Sequence, residues 1–120
     1  MIAYIPPMIN VGGNKLNIQL VDKIDGNSLG QTSVAEGYIK IARSYNCPRG
    51  DVLQSTSSRE QTFYHELTHA ILTVMDKRQL NDDEEFVCTF SSFLCAAMQQ
   101  IIEIEVPEPE KPQIISCEER

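Results

Sequence analysis

Ser57-Ser58-Arg59-Glu60-Gln61-Thr62-Phe63-Tyr64-His65-Glu66-Leu67-Thr68-His69-Ala70-Ile71-Leu72 is the stretch from which the fold of this chain is read. It holds both histidines of the protein, four positions apart, with a glutamate directly after the first. Ser57 followed three residues on by Glu60 has the form of a capping box, which predicts a helix start here. Phe63, Leu67, Ala70, Ile71 and Val74 then fall on one apolar stripe, with His65, His69 and Leu72 roughly opposite. A helix of that kind lies between layers. Imidazoles on its second, partly apolar face are costly to bury unless hydrogen-bonded or ligated.

The motif reads His-Glu-x-x-His. On a helix the spacing sets His65 and His69 on one face, about one turn apart, where both can grip a single metal ion. Neutral imidazole is a borderline-soft donor suited to Zn²⁺, and two such ligands plus one more protein group leave a fourth position for water. Glu66 is rotated by about 100° from His65, within reach of that water without being a ligand. These residue types point to a general base beside a Lewis acid, the chemistry of peptide-bond hydrolysis.

Working outward, 120 residues make one domain with a modest core. No apolar run approaches a membrane span, and Met1-Ile2-Ala3-Tyr4-Ile5-Pro6-Pro7 lacks the basic and apolar regions of a signal peptide, so the expected location is cytoplasmic. Cys47, Cys88, Cys95 and Cys117 form no Cys-x-x-Cys pair and are read as reduced thiols. A net charge of −7 without any basic cluster argues against nucleic acid as a partner.

Before the motif the period is two. Lys15 to Val21 alternates with Leu16, Ile18 and Leu20 on one face, bounded by the turn signals Gly12-Gly13-Asn14 and Asp25-Gly26-Asn27. Gly37 to Ala42 is a second alternating strand, and Ala3-Tyr4-Ile5 a short third one stopped by Pro6-Pro7. Asn46 to Asp51 is a loop by composition. After the motif, Asp76 to Leu80 is a short connection, and a second long helix begins at Asn81 to Glu85. Its arc of Phe86, Val87, Phe90, Phe93, Leu94, Ala97, Met98 and Ile101 is expected to pack on the first helix and the sheet. The expectation is an α+β fold over residues 1–106, followed by a Pro-rich tail at 107–120. From Glu103 on, six acidic and two basic residues carry −4 of the total charge, and the tail reads as an extended, mobile appendage.

With these residues in place the chain resembles a minimal gluzincin-type metallopeptidase, of the small kind found in phage and mobile-element genomes and related to the ImmA/IrrE metallopeptidases. The matching text runs from Gly37-Tyr38-Ile39-Lys40-Ile41 through Thr62 to Leu72, and on to Leu80-Asn81-Asp82-Asp83-Glu84-Glu85-Phe86-Val87. The resemblance implies a zincin-like fold, with a small sheet over the motif helix, zinc as cofactor, a protein or peptide substrate, and a glutamate from the second helix as third ligand. It also implies a sheet-edge strand, expected at Gly37 to Ala42, along which an extended peptide could add.

Two carboxylates compete for the third ligand position. Glu84 continues into Cys88, Ser91 and Cys95, a stripe bordering the apolar arc, whereas Glu85 continues into Thr89, Ser92 and Gln99 on the polar side. Glu84 also stands three residues before Val87, as the family's ligand does before a valine. For it to reach the histidines, the first helix must end early or the second must cross it steeply. Tyr38, Tyr45, Tyr64 and Arg43 are the side chains available to stabilise a tetrahedral intermediate. The competing reading is a non-catalytic regulatory protein whose metal holds the fold, and four protein ligands without water would distinguish it.

Overall fold

The computed structural model describes residues 5–103, without the side chains of 102 and 103. The strand expected at Ala3 to Ile5 lies largely outside this range, and Ile5 itself is not in a strand; the acidic tail is wholly outside it. The fold is α+β, with a four-stranded mixed sheet against a long helix. No helix among the described residues is long and apolar enough to cross a membrane.

Strands β1 (Met8–Val11) and β2 (Asn14–Val21) form an antiparallel hairpin. Its two-residue turn is Gly12-Gly13, both with positive φ, the conformation that a tight hairpin requires and glycine supplies without steric cost. Strand β4 (Tyr38–Ala42) lies parallel to β2 and antiparallel to β3 (Gly30–Ser33), giving the order β1-β2-β4-β3. The alternation of Gly37 to Ala42 is therefore real, but its placement at an edge is wrong. Ile39 and Ile41 are buried on β4, which is flanked on both sides, and the edges belong to β1 and β3, the latter without a hydrophobic run to announce it.

Asn46 to Asp51 is likewise no plain loop. It is the end of a separate hairpin, β5 (Ser44–Cys47) with β6 (Gly50–Leu53), turning at Pro48-Arg49. Gln54, just after it, is buried and fully engaged. Its amide nitrogen donates to the Ala42 carbonyl at 2.6 Å, and its oxygen accepts from Ser58 and Thr62 hydroxyls at 2.7 Å each. That satisfied network fixes the hairpin exit to the end of β4 and to the start of the next helix.

Helix α1 (Thr56–Val74) carries the motif. Its cap is Ser55, whose hydroxyl accepts from the Ser58 amide at 3.1 Å, so the expected Ser57–Glu60 box does not form. Glu60 instead turns into the core, 2 % exposed, where Gln99 donates to it and Cys95 lies beside it. Leu16, Ile39, Ile41, Phe63, Leu67 and Ala70 make the core between sheet and helix. The helix stops at Val74 because Asp76 adopts a left-handed conformation, φ 58°, and the Lys77 amide bonds back to the Leu72 carbonyl at 2.9 Å.

A single turn, α2 (Arg78–Asn81), reverses the chain into α3 (Glu84–Glu103). Asp83 caps α3 by accepting from the Phe86 amide at 3.1 Å. Val87, Ser91 and Cys95 are buried, with Leu94 and Met98 half-buried. The broad arc expected from the sequence is not buried throughout: Phe90, Phe93, Ala97 and Ile101 face outward, because α3 packs on α1 along the narrower Val87–Ser91–Cys95 stripe.

Candidate metal centre

The early stop of α1 and the one-turn reversal bring the start of α3 back over the motif face. There Nε2 of His69 lies 2.9 Å from one carboxylate oxygen of Glu84, and Nε2 of His65 lies 3.4 Å from the other. The candidate ligand atoms of His65, His69 and Glu84 all fall within 4.8 Å of one another. The imidazole rings stand 5.0 Å apart at an interplanar angle of 67°. Both histidines are about one-fifth exposed and Glu84 about two-thirds, so the cluster opens to solvent on the α3 side. Glu85 is exposed and takes no part in the cluster.

The protons around His69 can be counted. Thr73 donates its hydroxyl hydrogen to the His69 carbonyl at 2.8 Å, so its oxygen can only accept towards Asn81. The Asn81 amide nitrogen therefore faces Thr73, at 3.0 Å, and its oxygen faces Nδ1 of His69, at 2.6 Å. Nδ1 must carry a hydrogen, which leaves Nε2 of the neutral ring bare and pointing at a carboxylate oxygen. Two acceptors 2.9 Å apart repel unless a cation or a second proton stands between them. Two imidazole nitrogens and a carboxylate converging in this way form a donor set that fits Zn²⁺, and among the described residues the cluster has three members, one fewer than a closed structural site uses.

Glu66 is 8 % exposed and stands outside the ligand cluster. Thr32 of the edge strand β3 lies with its hydroxyl 2.6 Å from the Glu66 carboxylate and 3.1 Å from the Glu66 carbonyl. The shorter, charge-assisted contact takes the proton and fixes the carboxylate's direction. Gly30, two residues earlier on the same face of β3, is where strand and helix approach most closely. A Cβ built there would lie 2.7 Å from both Glu66 Cγ and Thr62 Cγ2.

Glu66 lines two cavities, of about 410 Å³ and about 390 Å³. One is shared with His65, Cys88, Gly30 and Thr62, the other with His69, Thr32, Thr73 and Asn81. Glu66 is the wall they share, and the two make up the cleft around it. Thr32, Asn81 and Gly30 are not announced by the sequence pattern, since only the pairing of β3 with β4 and the reversal at Asp76 bring them to the site. An Asn three residues before Glu84 is the nearest thing to a signal.

None of Tyr38, Tyr45, Tyr64 and Arg43 lines either cavity. Tyr64 is in the core, edge-on to Phe63 at 5.2 Å, and its hydroxyl is held protonated beyond the usual tyrosine range by burial, then by Glu60 and Cys95. Arg43 is paired with Asp22, and Tyr38 stacks under Lys40. The polar side chains lining these cavities instead include Ser28, Ser58, Gln61, Thr62, Thr32, Ser33, Thr73 and Asn81. Comparison of the chain with models of known protein families, with curated proteins and with solved structures returns no match.

Proposed function

We propose that this chain is a zinc-dependent metallopeptidase with a minimal zincin-like fold, in which His65, His69 and Glu84 hold the metal and Glu66 is the general base. The observation that carries the reading is the convergence of three ligand atoms from two helices within 4.8 Å, beside a separate carboxylate. The resemblance of the motif and its flanks to gluzincins supports it. A bound zinc ion supplies Lewis acidity, activating water and polarising a carbonyl.

The remaining steps belong to the chain. Asn81 presents Nε2 of His69 by holding the hydrogen on Nδ1. Thr32 orients the Glu66 carboxylate, which takes the proton of the attacking water and passes it to the leaving amine. An extended peptide would add along the outer edge of β3, where no strand pairs among the described residues, and so lie across the cleft at Glu66.

The test is Glu66→Gln. The variant should bind zinc as tightly as wild type and lose peptide hydrolysis by ~10²–10⁴-fold on a peptide-library substrate, since a neutral amide accepts no proton. Equal cleavage by both proteins sinks the assignment of the base. Full zinc content in a His65→Ala/His69→Ala variant sinks the metal centre itself.

A further inference from the structure

The outward side of α3 carries a run of apolar side chains between Phe86 and Ile101. Phe90 is 45 % exposed, Phe93 74 % and Ile101 61 %, Ala97 is exposed beside them, and Phe86 stacks on Phe90 with ring centroids 5.7 Å apart. From Phe86 to Ile102 the sequence contains no Asp, Glu, Lys or Arg. A helix face that stays in water ordinarily carries charge at several such positions, and the steps of four and three residues along 86, 90, 93 and 97 are those of a helix-pairing seam.

The seam complements itself. If two copies of α3 run antiparallel about a two-fold axis passing between positions 93 and 94, Phe86 of one copy faces Ile101 of the other, Phe90 faces Ala97, and Phe93 packs beside its own copy. The large Phe90 meets the small Ala97, and each contact away from the axis occurs twice, as a two-fold interface requires. Charge selects the direction. Asp82, Asp83, Glu84 and Glu85 gather at one end of α3, so a parallel pair would set four carboxylates against four, whereas the antiparallel pair puts them at opposite ends.

We infer that the outer face of α3 is a homodimer interface, with two copies of the chain pairing antiparallel through Phe90, Phe93, Ala97 and Ile101. Glu84 belongs to the stripe of Cys88, Ser91 and Cys95 turned towards α1, so the pairing leaves the metal centre accessible and does not depend on the peptidase reading. Phe90, Phe93 and Ile101 together offer roughly 350 Å² per copy, taking ~200 Å² for a fully exposed side chain of this size. The about 700 Å² these three side chains offer in the pair is below the standard size of specific interfaces, so the dimer is weak and concentration-dependent.

Sedimentation equilibrium of the full chain, run from about 5 to about 300 μM, tests the proposal. The mass should rise with concentration from 13.5 kDa towards twice that value. Phe93→Glu, a change at an exposed position that leaves the fold and zinc binding intact, should hold the protein monomeric. Phe90→Ala and Ala97→Phe should each weaken the dimer by ~5-fold or more. The combined Phe90→Ala/Ala97→Phe protein should recover most of that loss, because a phenylalanine again faces an alanine. A monomer throughout the range overturns the inference, as does a dimer indifferent to Phe93→Glu. Failure of the double variant to recover overturns the antiparallel register.

Discussion

Asn81 Oδ1 lies 2.6 Å from Nδ1 of His69, although one residue ends the single turn α2 and the other sits well inside α1. The contact joins the reversal of the chain to the state of the site. It sets which imidazole nitrogen carries hydrogen, while the Asn81 amide nitrogen on Thr73 prevents the side chain from turning over. Asn81→Ala should therefore weaken zinc binding by ~10–100-fold, the usual effect of losing a partner to a ligating histidine. Asn81→Asp, which still accepts from Nδ1, should restore most of it. Competition titration against a chromophoric chelator checks both, and equal affinity in Asn81→Ala would show that the contact has no bearing on the metal.

Zinc should stabilise the folded chain by mass action. At free zinc one hundred times the dissociation constant the gain is about 2.7 kcal/mol, on the order of 10 °C in the melting midpoint of a domain this size. Scanning calorimetry with zinc and with chelator should reveal that difference in wild type and in Glu85→Ala. It should be absent from the His65→Ala/His69→Ala protein and much reduced in Glu84→Ala. A normal zinc response in Glu84→Ala, with loss in Glu85→Ala, would exchange the two carboxylates.

Thr32 makes its strongest contact with Glu66, a residue distant in sequence. Thr32→Val keeps the shape of the side chain and removes the hydrogen bond, leaving the carboxylate free to turn away from the cleft. If the proposed chemistry is right, hydrolysis should fall by roughly 10-fold or more with zinc affinity unchanged, a split that steady-state rates and chelator competition can resolve. Thr32→Ser should retain the activity.

What the sequence discloses is the part written in local periodicity and fixed spacing. The motif helix, the strand at Lys15 to Val21 and the strand at Gly37 to Ala42 are legible because burial on one face leaves a repeat of 3.6 or two. That Glu84 and not Glu85 lies beside the histidines is legible from the helical wheel. The strand β3 is not, since Gly30-Gln31-Thr32-Ser33 has neither hydrophobic alternation nor β-branched density, and its place at the edge follows from pairing with β4. Nor is the fate of Glu60, where a surface-capping pattern conceals a residue the packing of α3 draws into the core. The arc on α3 fails for a different reason: hydrophobicity marks an apolar face without saying how much of it the chain itself buries, and Phe90, Phe93 and Ile101 are exposed.

The buried group of Glu60, Tyr64 and Cys95 has a consequence for alkaline stability. Burial first, then the Glu60 carboxylate, raises both the tyrosine and the cysteine above their ordinary values, with Cys95 adding to the shift on Tyr64. For each, the folded state prefers the protonated form, so the stabilisation is full below the unfolded pKa and is lost as pH rises through the folded one. Stability should be flat in this respect near neutrality and decline above ~pH 9–10. Denaturant midpoints across that range check the sign, and Cys95→Ser with Tyr64→Phe should flatten the slope. At pH 8 an alkylating reagent should modify the exposed Cys88 well before the buried Cys95.

Gly30 tests whether the edge strand is part of the site or only beside it. A methyl group at this position would approach Glu66 Cγ and Thr62 Cγ2 to 2.7 Å, closer than carbon atoms tolerate. Thr62 has little room to yield, being buried and bonded to Gln54, so β3 must lift or Glu66 must turn. Either movement parts Thr32 from Glu66. Gly30→Ala should cost ~1–3 kcal/mol of stability in denaturant unfolding, and should lower hydrolysis more than Thr32→Val does, because the strand moves together with the hydrogen bond. Zinc binding at the proposed site, whose ligands come from α1 and α3, should survive. If Gly30→Ala loses zinc as readily as activity, strand and helices move as one body and the division of labour drawn between β3 and the ligands is wrong.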